Sequence, residues 1–206
     1  MPIHRSSLLA ITSIALTVSS SAWAAINLQA SAVSRAVIVE DVARGAAGDK
    51  AGIQPGDVLR RWLVSSTSRE TRGEITSPFA LSEIELEQGP RGDVVIVGTR
   101  AGRPFEATLV GTDWKITVRP EMDDSVLAAY HEAKKLIDAQ DIDRAARVFR
   151  DLAAKTSKNP RLAAWFFVRL AELLAQFGNA QDAQSAYRSA VDVAKDLQET
   201  AVSANI

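Results

Sequence analysis

Few residues in this chain could carry out catalysis or bind a metal ion. It has two histidines, His4 and His131, and no cysteine. A serine hydrolase needs a histidine beside its nucleophile, yet no Gly-x-Ser-x-Gly segment occurs, and His131 lies on a polar helical stretch. A zinc site needs several Cys or His ligands. We therefore predict no catalytic residue, no metal site, no cofactor and no enzyme activity.

The acidic residues that could attract a cation have simpler interpretations. Asp123 and Asp124 stand where a helix should begin, and negative side chains stabilise the positive end of a helix dipole. Three glutamates at positions 83, 85 and 87 are interpreted as solvated charges on a helix. The Arg-Gly-Asp triplet at residues 91–93 is interpreted as the entry to a hairpin.

The composition is typical of a globular protein with one or two domains. Of its 206 residues 47% are hydrophobic and 24% are charged, and the formal net charge is −1. Such a balance favours neither nucleic acid nor a membrane surface as a partner. We expect protein or peptide ligands instead.

The first 24 residues have the pattern of a secretory signal peptide. His4 and Arg5 precede an apolar stretch at residues 8–18, and Ala22-Trp23-Ala24 forms a small-x-small cleavage site. We predict cleavage after Ala24 and export to the periplasm or the exterior, without membrane attachment after cleavage. The alternative is an uncleaved anchor, although the apolar stretch is about half the roughly 20 residues that cross a bilayer.

A turn at residues 51–59 organises the first domain. It reads Ala-Gly-Ile-Gln-Pro-Gly-Asp-Val-Leu, in which Gly52 ends a short helix in a left-handed conformation and Asp57 opens a strand. Residues 65–76 are predicted as an exposed loop or a β-excursion. The predicted strands are 35–42, 57–64, 94–99, 105–110 and 114–118, and the predicted helices are 46–50 and 78–88, the second capped by Ser77.

In this order of elements and in the turn itself, residues 25–121 resemble bacterial PDZ domains of the circularly permuted type. The resemblance implies a small β-barrel or sandwich that binds an extended or C-terminal peptide by adding it beside a strand edge. A loop of such domains holds the terminal carboxylate, and this loop and the groove strand normally precede the segment equivalent to residues 36–39.

The resemblance also implies which residues bind the peptide. Ile26, Asn27 and Leu28 would form the groove edge, and the helix at 78–88 would form the wall. Phe79, Leu81 and Ile84 would line or support the groove. An apolar helix stripe is by default part of a core, so core packing remains the alternative for these three residues.

The chain is predicted to be helical from residue 122 to residue 198, with a tail at 199–206. Helices are predicted at 126–139, 142–155, 161–177 and 180–197. Small and aromatic positions recur 38 residues apart, as in Ala133 and Ala171 or Phe149 and Tyr187. This pattern resembles two tetratricopeptide (TPR) repeats, whose small residues let paired helices approach closely.

TPR geometry implies a concave face formed by the first helix of each pair. Tyr130, Lys134, Trp165 and Glu172 are the candidates for it. Trp165 adjoins Phe166 and Phe167, and three adjacent aromatic residues favour a core role for Trp165. Because a stable stack usually needs three repeats, we expect mutual packing, a homo-oligomer or a longer array.

The sequence therefore predicts an α+β protein: a PDZ-like domain with one or two helices, followed by an all-α TPR-like domain. The function that fits is an exported protein–protein interaction adaptor. Two alternatives stay open. The chain could be the regulatory N-terminal part or a fragment of a secreted protease or larger TPR protein, or a structural protein whose groove is closed by its own residues.

Overall fold

The computed structural model describes residues 36–65 and 70–203, with side chains at 36–64 and 71–195. All of them belong to one compact unit. The predicted signal peptide and the predicted groove edge at Ile26, Asn27 and Leu28 lie outside the described residues. Within the described part, the protein is of mixed α+β class.

Six antiparallel strands form one sheet. They are β1 (Val37–Val42), β2 (Val58–Ser65), β3 (Glu70–Glu74), β4 (Val94–Arg100), β5 (Arg103–Leu109) and β6 (Ile116–Pro120). The order along the sheet is β5-β4-β2-β1-β6, and β3 pairs with the second half of β2. Two helices belong to this half of the chain, α1 (Ala47–Lys50) and α2 (Pro78–Gln88).

Four helices follow the sheet. They are α3 (Asp124–Asp138), α4 (Ile142–Lys155), α5 (Pro160–Gln176) and α6 (Ala180–Ser203), and each packs against the next. Their core contains Phe149, Trp165 and Phe166, whereas the core of the sheet contains Leu59, Ile96 and Trp114. No helix in the described part of the chain is long and apolar enough to span a membrane.

Local sequence signals place several helix ends. Ser77 Oγ accepts a hydrogen bond from the Ala80 N–H at 3.1 Å, and Pro78 occupies the first turn of α2, as predicted. Asp141 and Asn159 cap α4 and α5 in the same way. Gly52 follows α1 with φ +78°, a left-handed conformation that glycine adopts without a Cβ penalty. The predicted cap at Ser77 and the predicted left-handed conformation of Gly52 are confirmed.

Two segments differ in detail from the predictions. The polar segment at 65–76 contains strand β3, so the β-excursion, rather than a plain loop, is present. Helix α6 continues through Ser203, so the predicted tail at 199–206 is helical over its first five residues. The reason is visible in the sequence, because residues 198–203 contain neither proline nor glycine to end the helix.

Candidate functional site

The outer edge of β6 is the first feature of the candidate site. β6 pairs with β1 and ends the strand order, so its other edge has no strand partner among the described residues. The Lys115 carbonyl accepts from the Ala43 N–H, and the Glu121 N–H donates to the Ala36 carbonyl. Because the direction alternates along a strand, Ile116 and Val118 turn their backbone N–H and C=O groups to the open edge.

The neighbour of β1 comes from the far end of the predicted domain, because β6 pairs with β1. The predicted groove edge at residues 26–28 lies outside the described residues and stays a prediction. Sequence reasoning predicted a strand at 114–118 but could not place it, since strand neighbours are set by long-range pairing.

Helix α2 lies against β6 and presents an apolar stripe to solvent. Phe79 is 43% exposed and Leu86 is 74% exposed. The two are seven residues apart, so two helical turns place them on one face, with exposed Ser82 between them. On a helical wheel this face adjoins Glu85, which contacts the loop leading into β6. We refer to Phe79, Ser82 and Leu86 as the α2 stripe.

The predicted groove residues on α2 separate into two groups. Leu81 and Ile84 are buried in the sheet core, so they do not line a groove. Phe79 stays accessible. Leu86 was missed, although its seven-residue spacing from Phe79 is a signal that could have found it. For Leu81 and Ile84 the core alternative is the one the structure supports.

The loop between β5 and β6, residues 110–115, is held closed by Trp114. Its side chain is fully buried, and its indole Nε1–H donates to the Gly111 carbonyl at 2.7 Å. Its backbone N–H donates to Glu85 Oε1 at 2.7 Å, and its carbonyl accepts from the Gly48 N–H at 3.1 Å. A Cβ on Gly48 would lie 2.6 Å from Ile116 Cγ1, so α1 is closely packed against the start of β6.

A polar joint connects the sheet to the helices. The pairing of β1 with β6 shifts register between Val39 and Asp41, which leaves Glu40 as the extra residue of a β-bulge. The Glu40 carboxylate accepts from the Tyr130 hydroxyl at 2.8 Å, and its Oε1 lies 3.4 Å from Lys134 Nζ. Arg119 Nε of β6 lies 3.9 Å from the same oxygen. Burial and the neighbouring Glu40 carboxylate raise the pKa of Tyr130, so its hydroxyl remains a donor.

Two of the four residues predicted for an open concave face are buried, and this prediction is corrected for them. Tyr130 is enclosed at the joint with Glu40, and Trp165 is enclosed in the helical core, 5.4 Å from the Tyr130 ring. A large aromatic ring gains more from burial than from solvent contact. The Tyr130 hydroxyl is bonded to Glu40, and the Trp165 ring contacts the Tyr130 ring. The second interpretation of Trp165, as core, is therefore the correct one.

The other two concave-face candidates are exposed but paired. Lys134 Nζ lies 5.6 Å from the centre of the Tyr130 ring, and Glu172 pairs with Arg169 at 2.7 Å. Arg169 in turn lies over the Trp165 ring at 5.5 Å. The four predicted residues thus form one chain of contacts that begins at Glu40, rather than an open binding face.

A cleft of about 190 Å³ between α4, α5 and α6 is lined by Arg150, Phe167 and Asp182, among others. This volume is below the roughly 300 Å³ at which ligand pockets usually begin. Within the described part, no group of three or more His, Cys, Asp or Glu side chains is arranged to hold a metal ion.

Comparison with known proteins adds no identity to this geometry. No family model matches the chain, and a search of the curated proteins finds no match. The functional argument therefore rests on the residues and distances given above.

Proposed function

We propose that the chain is an exported protein–protein interaction adaptor. A PDZ-like domain at residues 25–121 binds an extended peptide by β-augmentation, and the TPR-like helices at 122–198 dock a second protein. The observation that carries the proposal is the open edge of β6, with helix α2, which exposes the α2 stripe, packed against this strand.

The open edge supplies the backbone part of recognition. Ile116 and Val118 turn outward N–H and C=O groups that have no backbone partner among the described residues, and such groups are the template that an added strand requires. Pro120 ends β6 without an N–H group, so the length available for pairing is short. The side chains of Ile116 and Val118 pack partly against the sheet core, which holds the edge in a fixed position before any ligand binds.

The α2 stripe supplies the side-chain part. In an extended peptide alternate side chains point the same way, so one set could contact Phe79 and Leu86 while the backbone pairs with β6. Both residues are exposed apolar groups next to polar surface, where burial against a ligand is favourable. The fixed edge and the apolar stripe together support binding of a strand rather than of a small molecule.

The turn at residues 51–59 supports the PDZ-like part of the proposal. Asp57 is fully buried and joins the turn to β4 through Arg100, so the glycines and the aspartate serve the fold of the turn and not the ligand. The placement of β6 beside β1 and near α2 gives the proposed domain a groove strand. It differs from the expected arrangement in coming last in the domain.

The helices would provide the second docking surface. Helix α6 exposes Tyr187 and Val191, which are four residues apart and therefore share a face. A second copy of the chain is one candidate for this surface, in line with the homo-oligomer expected from two repeats. Sedimentation of the chain with and without Tyr187→Ser would show whether this face joins two copies.

Peptide selection followed by mutation tests the main proposal. The chain is screened against random peptide libraries, and affinities of selected peptides are measured for Phe79→Ser/Leu86→Ser and for a control, Phe177→Ser. Phe177 is an exposed apolar residue at the end of α5, far along the chain from α2 and β6. We expect the double variant to bind at least about tenfold more weakly, about 1.4 kcal/mol, and the control to bind normally. Equal binding by all three proteins, or no selected peptide at all, contradicts the proposal.

A further inference from the structure

We infer that the β6 edge takes an internal, extended segment of a partner protein and not its free C-terminus. The inference rests on the proposed function and adds the class of ligand. It depends on the loop at residues 110–115, which leads directly into β6 and is therefore the loop that would meet the end of a peptide lying along this edge.

One donor of the loop that leads into β6 is already in use. The Trp114 N–H, two residues before β6 begins, is bonded to Glu85 Oε1 at 2.7 Å. Glu85 reaches it from α2, so a carboxylate of the chain itself occupies the place beside this donor. A ligand carboxylate would have to displace Glu85 to reach the same N–H.

The charge of Glu85 also opposes a second carboxylate. Two carboxylates that share one site repel each other, and one of them has to take up a proton or move away. Asp113 adds a further negative charge to the loop, although Lys115 Nζ pairs with it at 2.8 Å. A peptide that carries no terminal carboxylate avoids this repulsion.

Trp114 also fills the core behind the loop. The indole of Trp114 is fully buried in the same core as Leu81 and Ile84, and its Nε1–H is bonded to the Gly111 carbonyl. Opening a pocket there would expose this ring and break the bond. Such a change is costly, because a buried donor would lose its partner.

An exposed apolar residue lies at the far end of the loop. Val110 opens the loop and is largely exposed. The loop approaches the end of α2, since a Cβ on Gly89 would lie 2.6 Å from the Gly111 carbonyl oxygen. A ligand that ended at the start of β6 would leave Val110 uncovered, whereas a segment that continues along the loop can contact it.

Two peptide libraries and two glutamate variants test the inference. One library displays random peptides between flanking sequences, and the other displays them with a free carboxylate. The best peptide from each is synthesised as the free acid and as a form extended by Gly-Ser-Gly amide. Affinities for both forms are measured with the unmodified chain, with Glu85→Gln, which keeps an acceptor for Trp114 N–H, and with Glu83→Gln as the charge-matched control.

We expect the extended form to bind at least about threefold tighter than the free acid. Glu85→Gln should reduce this difference by strengthening the free acid about threefold or more, while Glu83→Gln leaves it unchanged. A free acid that binds as tightly as the extended form, or tighter, overturns the inference. So does a Glu85→Gln variant with an unchanged preference.

The two proposals fail in different ways. If binding needs the α2 stripe but favours the free acid, the internal-segment inference is wrong and the proposed function stands. If neither peptide form binds, or if Phe79→Ser/Leu86→Ser leaves binding unchanged, the proposed function is wrong and the inference falls with it.

Discussion

The buried carboxylate of Asp57 is held by one donor from its own turn and by two from Arg100 at the end of β4. It accepts from the Gln54 N–H at 2.8 Å and from Arg100 Nε and Nη2, each at 2.7 Å. The same Nη2 donates to the Gly52 carbonyl, and the guanidinium lies 5.1 Å from the Phe105 ring centre. Hydrogen bonding to Asp57 raises the pKa of Arg100, so the guanidinium stays charged. The turn at 51–59 is thereby fixed to β4.

Arg100→Ala should destabilise the protein, because it leaves the Asp57 carboxylate buried with one donor. Arg100 is itself 38% exposed, so solvent screens part of the loss, and we expect the free energy of unfolding to fall by about 2 kcal/mol. Urea unfolding measures it.

The control is Lys115→Ala, which removes an exposed, solvent-screened ion pair with Asp113 and should leave the unfolding free energy almost unchanged. Equal effects of the two substitutions would contradict the structural role assigned to Asp57.

At the scale of elements, α2 separates stability from binding. Its inner face packs Leu81 and Ile84 into the sheet core, and its outer face carries the α2 stripe. Ile84→Ala should lower the free energy of unfolding by about 2–4 kcal/mol, since it opens a cavity. Leu86→Ala should change it by less than about 0.5 kcal/mol, because the side chain is mostly in solvent. Thermal or urea unfolding of both variants checks this; a large loss for Leu86→Ala would place it in the core.

Sequence alone located α2 but not its orientation. Ser77, Pro78 and Gly89 mark its ends by local capping chemistry, which a sequence shows directly. Its apolar residues Phe79, Leu81, Ile84 and Leu86 are spread around the helix, so no single stripe identified the buried side. The neighbour of β6 was not predicted for a related reason: β6 lies about 80 residues along the chain from its partner β1, and local patterns carry no information about such pairing.

At the scale of the whole molecule, the joint at Glu40 connects the sheet with the helices. Tyr130 and Glu40 are 90 residues apart in sequence, so no pattern predicted their contact. The bulge in β1 directs Glu40 toward Tyr130, Lys134 and Arg119, and Arg119 belongs to the strand with the open edge. The candidate site is therefore built on a strand that is also attached to the helices.

The joint predicts a dependence of stability on alkaline pH. The pKa of Tyr130 is raised in the folded state, so below its ordinary value of about 10 both states are protonated and stability is complete. Above pH 10 the unfolded state loses the proton more readily, and the free energy of unfolding should fall with rising pH. Tyr130→Phe should remove part of this dependence.

The ionisation of Tyr130 can be followed by itself in a titration. Tyr187→Phe leaves Tyr130 as the one tyrosine in the chain, so the ultraviolet absorbance of tyrosinate reports on it alone. The absorbance should rise only as the protein unfolds in alkali. Ionisation near pH 10 in the folded protein, as judged by circular dichroism, would contradict the buried hydrogen bond to Glu40.

Hydrogen exchange at the β6 edge tests the central claim most directly. Amide exchange of the chain, with backbone resonances assigned by NMR, is compared with and without a peptide selected from the libraries. If the peptide adds as a strand to β6, the outward-facing amides of Ile116 and Val118 become slower to exchange, while the inward-facing amide of Glu121, already bonded to Ala36, changes little. Protection confined to the helices, with Ile116 and Val118 unchanged, would contradict binding at this edge.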